Sequence, residues 1–437
     1  MIRLPEPGHP PPWLVVLTLW LLVFSASSQI MIIAPLLPMV GDDLGIEEAL
    51  LGTLVSAYSL MVGLFAIISG PFSDRVGRRR ILLVGTGIMT LALGAHFWVA
   101  GYWSFILVRV LAGLAGGVLS GSAVSYVGDY FAYERRGWAT GWIMSGTAAG
   151  QILGIPMGVV LAGWFGFRIP FLLFGVSMAA TFILVFFTLP QPEVRRSPDP
   201  VTLRRAIAGY MGLIRRPEIA AACSAFLLMF LGISFYVVYL PTWLERGIGA
   251  TPNEIAILFL VGGVANVIVG PQAGRISDRV GRKGIILVSC VGLAIVMALT
   301  TVVIGEVWMA YPYFFVVMAL VAMRIGPFSA LLTALVTSDR RGSLLSLAVA
   351  VGQVGFAVGA TLSGILYASH GYAPTSTIAG LSVLGMGLMV WFLIPEPGAD
   401  VAVDGIPRDA AEAATPEAPD LPATGGAGPL GGPGAPE

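Results

Sequence analysis

The stretch SDRVGRRR at residues 73–80 returns as SDRVGRK at residues 277–283, in a chain of 437 residues of which only 11% are charged. Soluble domains carry charge on roughly a quarter of their residues. Here 57% of residues are hydrophobic, and apolar runs near the roughly 20 residues needed to cross a bilayer recur along most of the length. A charged phrase written twice in such a chain marks a repeat. Two further landmarks share its spacing: Arg135-Arg136-Gly137 is echoed by Arg340-Arg341-Gly342, and LLP ending at Pro38 by YLP ending at Pro241, so all three recur after 203–205 residues.

Hydropathy, with Gly, Pro and charge clusters as breaks, gives twelve spans. The first six run at 13–38, 50–70, 81–100, 103–128, 138–162 and 169–189, and the last six at 219–243, 253–273, 285–304, 309–337, 344–368 and 375–394. The reading is an all-α polytopic membrane protein, with twelve transmembrane helices in two parallel six-helix repeats. Its parts are a lead at 1–12, a first bundle at 13–189, a linker at 190–218, a second bundle at 219–394 and a tail at 395–437. The tail is rich in Pro, Gly, Ala and acids and is expected to be disordered. Six is even, so both units enter the membrane in the same direction.

Basic residues in short loops stay on the cytoplasmic side. With both termini inside, all but four of the 24 Lys and Arg residues fall there. Arg168 and Arg246 fall outside, and Arg109 and Arg324 within spans. The sequence TPNE at 251–254 reads as a Thr cap, a Pro in the first turn and a Glu closing the capping box of the eighth span. No carboxylate sits in the middle of a span. The formal charge is zero, which gives no reason to expect nucleic acid. Cys223 and Cys290 both lie in apolar runs, with no disulfide framework or metal spacing. No nucleotide-binding loop, metal site or catalytic pairing argues for an enzyme.

The loop after the second span resembles the signature of the major facilitator superfamily, roughly G-x-x-x-D-R-x-G-R-R/K. It stands complete as Gly70, Asp74, Arg75, Gly77, Arg78 and Arg79, and more weakly as Gly274, Asp278, Arg279, Gly281, Arg282 and Lys283. Within that family, IAPLLPMVGDDLG at 33–45, RVLAGLAGG at 109–117 and GTAAGQILGIPMG at 146–158 resemble twelve-helix drug:proton antiporters and sugar-efflux relatives. The fifth-span stretch has Gly-Ile-Pro where that group usually has Gly-Pro. The resemblance implies a secondary-active transporter working by alternating access, expelling a small amphipathic compound from a bacterial inner membrane and using a proton gradient rather than a cofactor. An uptake permease or facilitator for an organic anion, sugar or other metabolite is the alternative. A lipid bilayer and a small-molecule substrate are the expected partners, and a monomer the expected state.

Gly77 and Gly281 suit a turn with positive backbone angle, and the arginines hold the loop at the cytoplasmic surface. Acids contribute little to orientation, so Asp74 and Asp278 need another reason. A carboxylate there can face a helix N-terminus of the opposite half. The resemblance implies such a latch, with Asp74 and Arg75 as the gate.

Arg109 and Arg324 are charged residues inside spans, which cost about 2.5–3.5 kcal/mol at a helix centre on insertion scales and should face a cavity or a partner. Gln29, Tyr58, Gln151, Tyr236, Asn266 and Gln353 lie in spans that the family places around its central cavity, and are candidates for substrate or coupling. Gly146, Gly150, Gly154 and Gly158 fall on one helix face at four-residue spacing, a stripe for close approach, and Pro156 loosens that helix. The hypothesis is a seam that rocks against the other half. His96 and His370, near outer span ends, are expected to be interfacial.

Overall fold

The computed structural model describes residues 11–191, 203–337 and 340–396; the side chains of 70–75, 133–134 and 203–207 lie outside that description. The lead at 1–10, part of the linker and the tail from 397 onward also fall outside it. Among the described residues, twelve helices are long and apolar enough to cross a membrane.

The first span is α1 (Pro12–Met31) followed by α2 (Ile33–Leu44), because Pro35 has no N–H for the Met31 carbonyl. The second and third are α3 (Glu48–Val76) and α4 (Arg78–Ala95). The fourth is α5 (Tyr102–Leu119) and α6 (Ser122–Tyr130), parted at Gly121 with φ +73°. The fifth is α7 (Tyr133–Ala149) and α8 (Ile155–Phe165), joined by a π-helical turn at Gly150–Gly154. That turn immediately precedes Pro156, which cannot donate to the Ile152 carbonyl, so the expected loosening takes the form of a π-bulge. The sixth is α9 (Arg168–Thr188).

The linker is partly helical, as α10 (Leu203–Ile214). The seventh span is α11 (Pro217–Val237) and α12 (Leu240–Trp243), with a π-helical turn at Leu244–Ile248; Pro241 leaves the Val237 carbonyl without its ladder donor. The last five are α13 (Pro252–Val280), α14 (Arg282–Val303), α15 (Val307–Thr333), α16 (Arg341–His370) and α17 (Tyr372–Leu393). The capping box that opens α13 is present: the Glu254 amide donates to Thr251 Oγ1 at 3.4 Å, and the Thr251 amide to Glu254 Oε2 at 2.8 Å.

Several helices run past their apolar stretches. α3 and α13 carry the charged phrase as helix to Val76 and Val280, and the chain turns only at Gly77 and Gly281. Polar residues continue a helix freely once it has left the hydrocarbon layer. Exposed Trp98, Trp103, Trp164 and Trp308 ring the helix ends at one face, and Trp13, Trp138 and Trp391 those at the other, the pattern of membrane-interface belts. The face that carries Arg78–Arg80 and Arg282 is called the basic face below.

Within the first half α1 packs on α7 and α9, and α3 on α5; within the second, α11 packs on α16 and α17, and α13 on α15. Between the halves two diagonal pairs meet, α3 with α16 and α8 with α13, while α2 meets α12 at the face opposite the basic one.

Candidate functional site

The two charged turns are the first functional candidates. Gly77 has φ +100° and Gly281 φ +104°, angles that side-chain-bearing residues rarely adopt. The side chains of Gly70's neighbours and of Asp74 and Arg75 lie outside the described residues, so the gate assigned to them has no side-chain geometry. Arg78 pairs with Asp129 at 2.6 Å, tying the start of the third span to the end of the fourth. Arg79 donates to the carbonyl of Phe186, and Lys283 donates to that of Trp391 at 2.9 Å, so each binds the end of the sixth helix of its own half. Asp278 is exposed and only 3.7 Å from Arg282 on the next turn; Arg279 is exposed.

A Cβ on Gly77 would fall 2.6 Å from Gln191 Nε2, and one on Gly281 3.1 Å from Glu396 Oε1. Glu396 also accepts from the amides of Arg282, at 3.0 Å, and Lys283, at 3.5 Å, and so caps α14. Sequence reasoning missed these docking residues, although LPQP at 189–192 and IPEP at 394–397 repeat at the same spacing as the other landmarks.

Within the first half the structure brings Gln29, Tyr58 and Arg109 together. All three are buried, Arg109 and Gln29 with no exposed surface. Gln29 Nε2 donates to the Tyr58 hydroxyl at 3.0 Å, and the Arg109 guanidinium lies 4.5 Å over the Tyr58 ring, an arrangement worth roughly 2 kcal/mol or more when desolvated. Arg109 Nε donates to the Leu54 carbonyl at 3.3 Å. Gly113, Gly116 and Gly117 permit this approach: a Cβ on Gly113 would fall 2.4 Å from the Tyr58 carbonyl oxygen. Both Nη atoms of Arg109 and Oε1 of Gln29 have no hydrogen-bond partner among the described residues.

His96 corrects the interfacial expectation. It has no exposed surface; its ring stacks on Phe171 at 4.2 Å, meets Phe105 edge-on and binds the Ala92 carbonyl through Nδ1 at 2.8 Å. Phe105 of α5 and Phe171 of α9 close over a position that chain order alone puts at a span end. His370 is exposed, as expected.

The other candidates are scattered. Tyr236 lies in the core of the second half, sharing a hydrogen bond with Thr300 at 3.2 Å and accepting on its carbonyl from Tyr372. Arg324 is fully buried against the Cys290 thiol, and its three side-chain nitrogens have no nitrogen or oxygen partner among the described residues. Gln151 and Asn266 meet across the halves, Asn266 Nδ2 donating to Gln151 Oε1 at 3.2 Å. Gln353 is on the other seam, its Cβ 3.1 Å from where a Cβ on Gly63 would stand.

The fifth-span glycines face a different neighbour from the one hypothesised. Cβ atoms on Gly146, Gly150, Gly154 and Gly158 would meet Trp20, Ser27, Ser28 and Ile32 of the first span, in the same half. Their stripe is an intra-half contact. The side of that span turned to the other half instead carries Gln151 and Ile152, with Ile152 filling the space beside Gly263.

At the face opposite the basic one lies a cluster that sequence reasoning did not assemble. Arg246 of the second half pairs with Asp42 at 2.7 Å and with Glu48 of the first. Ser56 donates to the Ala357 carbonyl at 2.6 Å and shares a hydrogen bond with Thr361 at 2.8 Å. The LLP and YLP echo was the available signal, since the helix ends that follow Pro38 and Pro241 are the ones that meet. Chemically, the molecule offers two helical bodies joined along two diagonal seams, with polar groups between them. Among the described residues no three His, Cys, Asp or Glu side chains are grouped to hold a metal ion.

The sequence profile of the Major Facilitator Superfamily matches residues 19–246 and 222–412. The chain belongs to the major facilitator superfamily. This facilitator protein is therefore an integral membrane transporter and not an enzyme. It is 26% identical over 380 residues to the uncharacterized MFS-type transporter YceJ of Bacillus subtilis (strain 168), covering 85% of this chain and 95% of that one. It is 23% identical to the multidrug resistance protein MdtG of Salmonella paratyphi C (strain RKS4594), over 85% and 93% of the two chains. The crystal structure of a D-xylose-proton symporter superposes with a TM-score of 0.72 over 88% of this facilitator and 98% of that chain, at 19% identity, a likeness of fold.

Proposed function

We propose that this transporter is a proton-coupled exporter of small amphipathic organic compounds, working by alternating access as a monomer in a bacterial inner membrane. The observation that carries the reading is the pair of diagonal seams, α3 with α16 and α8 with α13, clasped by ion pairs and hydrogen bonds at one face. Two bodies of six helices, 13–189 and 219–394, that meet in this way can rock about the seams and expose a site between them to either side in turn. The basic face is the cytoplasmic one, with both termini, because Arg78–Arg80, Arg135, Arg136, Arg282, Lys283, Arg340 and Arg341 lie there. The clasped face is then the outer one.

Likeness to multidrug resistance proteins supports export and an amphipathic cargo. Gln151, Asn266 and Gln353, on the seams, are the polar groups that cargo meets; the Gln29, Tyr58 and Arg109 cluster backs them from inside the first half. Asp74, with Arg75, acts as the cytoplasmic gate latch. A proton gradient supplies the energy and no cofactor is involved. A second reading, an uptake permease or facilitator, has one observation in its favour: among the described residues the buried Arg109 and Arg324 keep nitrogens without a nitrogen or oxygen partner, which suits an organic anion as cargo.

Everted membrane vesicles separate the two. On the export reading, an imposed pH gradient, acid inside, drives uptake of fluorescent amphipathic dyes into vesicles that contain the protein, and collapsing the gradient stops it. Dye uptake no faster than in empty vesicles, together with gradient-independent exchange of an organic anion, contradicts export.

A further inference from the structure

The break between α11 and α12 places Tyr239 at the outer seam. The ring is fully buried and stacked on Tyr367, with centroids 5.0 Å apart. Its hydroxyl accepts from the amide of Gly52 at 2.8 Å and donates to the carbonyl of Glu48 at 2.6 Å. Residues 48 and 52 are the i and i+4 partners of the first turn of α3, so a hydroxyl from the second half bridges a rung of a helix in the first. The notch that admits it has glycine on both walls. A Cβ on Gly364 would stand 2.5 Å from the Tyr239 hydroxyl oxygen, and one on Gly52 would stand 1.9 Å from the Ala360 carbonyl oxygen.

We propose that Tyr239 is the latch of the outer gate, a reading that rests on alternating access. When the outer side opens, the hydroxyl withdraws into water, and the Gly52 amide and Glu48 carbonyl keep each other as partners along the helix. Neither half is left with an unpaired backbone group, so release costs only the buried hydrogen bonds of the hydroxyl itself, and the latch re-forms as readily. Arg246 grips the same Glu48 by its carboxylate, but that pair is partly exposed, and exposed pairs contribute little. The buried hydroxyl therefore outweighs the visible ion pair.

The test uses the full chain in lipid nanodiscs, with spin labels at Glu47→Cys and His370→Cys on the two sides of the outer seam. In the parent, a short distance dominates and a longer one is the minor population. Tyr239→Phe raises the ratio of long to short about tenfold, the scale of a lost buried hydrogen bond, while Arg246→Ala raises it less than about threefold. Gly364→Ala keeps the hydroxyl but fills its notch, and raises the ratio as Tyr239→Phe does. If the parent shows both distances and neither variant moves their ratio, or if Arg246→Ala moves it more than Tyr239→Phe, the latch is wrong and alternating access stands. A parent with one distance at every pH and with every substrate overturns alternating access itself, and the latch with it.

Discussion

At Gly77 and at Gly281 the chain makes the same left-handed turn, and beside each glycine sits a residue from just beyond the sixth helix of that half, Gln191 in one and Glu396 in the other. Arg79 and Lys283 hold matching carbonyls, those of Phe186 and Trp391. What differs is the residue between. Arg78 reaches Asp129 at the end of the fourth span, with both side chains largely shielded, whereas among the described residues the Arg282 side chain pairs only with Asp278, across its own turn. Duplication has kept the backbone and the tether in both halves. Among the described residues the first half alone ties its turn to a second helix, the fourth span, so substitutions at the two turns are expected to differ in effect.

Four comparisons can break or sharpen that contrast. The largest effect is expected from Gly77→Leu, where the positive backbone angle alone costs on the order of 1–3 kcal/mol and the new side chain collides with Gln191. Gly281→Leu should cost less, because Glu396 stands further off; thermal unfolding in detergent compares them. Next, Asp74→Asn should lower turnover about tenfold, the equivalent of about 1.4 kcal/mol, while Asp278→Asn stays within about twofold. Equal losses at both sites in a dye-efflux assay remove the functional asymmetry. Third, Arg78→Ala should destabilise by roughly 1.5–3 kcal/mol as a shielded charged hydrogen bond is lost, and Arg282→Ala by no more than about 0.5 kcal/mol. The charge reversal Arg78→Asp with Asp129→Arg should recover part of the first loss. The smallest effect belongs to Glu396→Gln, which gives the second turn the amide of the first; removing one charge from the α14 N-terminus costs roughly 0.3–1 kcal/mol, and less in high salt.

Much of this architecture was legible in the sequence because it depends on local signals. Span number follows from hydropathy, the start of α13 from Thr251 and Glu254, and the two turns from Gly77 and Gly281. The family followed from the same charged phrase. Contacts made at long range were not legible. Nothing in the spacing of Gly146, Gly150, Gly154 and Gly158 says which neighbour the stripe meets, and it meets the first span rather than the other half. His96 reads as interfacial until Phe171 and Phe105 are seen to enclose it. Tyr239 is one aromatic among many until Gly52 and Gly364 are brought to either side of it. Of the polar candidates, Gln29, Tyr58 and Arg109 were chosen singly and prove to be one cluster, whereas Tyr236 is spent inside its own half.

The central claim is that the two halves exchange access between the faces by moving as bodies. The most direct measurement takes distances at both faces in the same protein, with one spin-label pair at Glu47 and His370 and another at Arg80 and Ser343, across pH and in the presence of transported dye. Reciprocal change is predicted: every condition that lengthens the first pair shortens the second. Two pairs that lengthen together, or that hold one distance while dye is being transported, would contradict it.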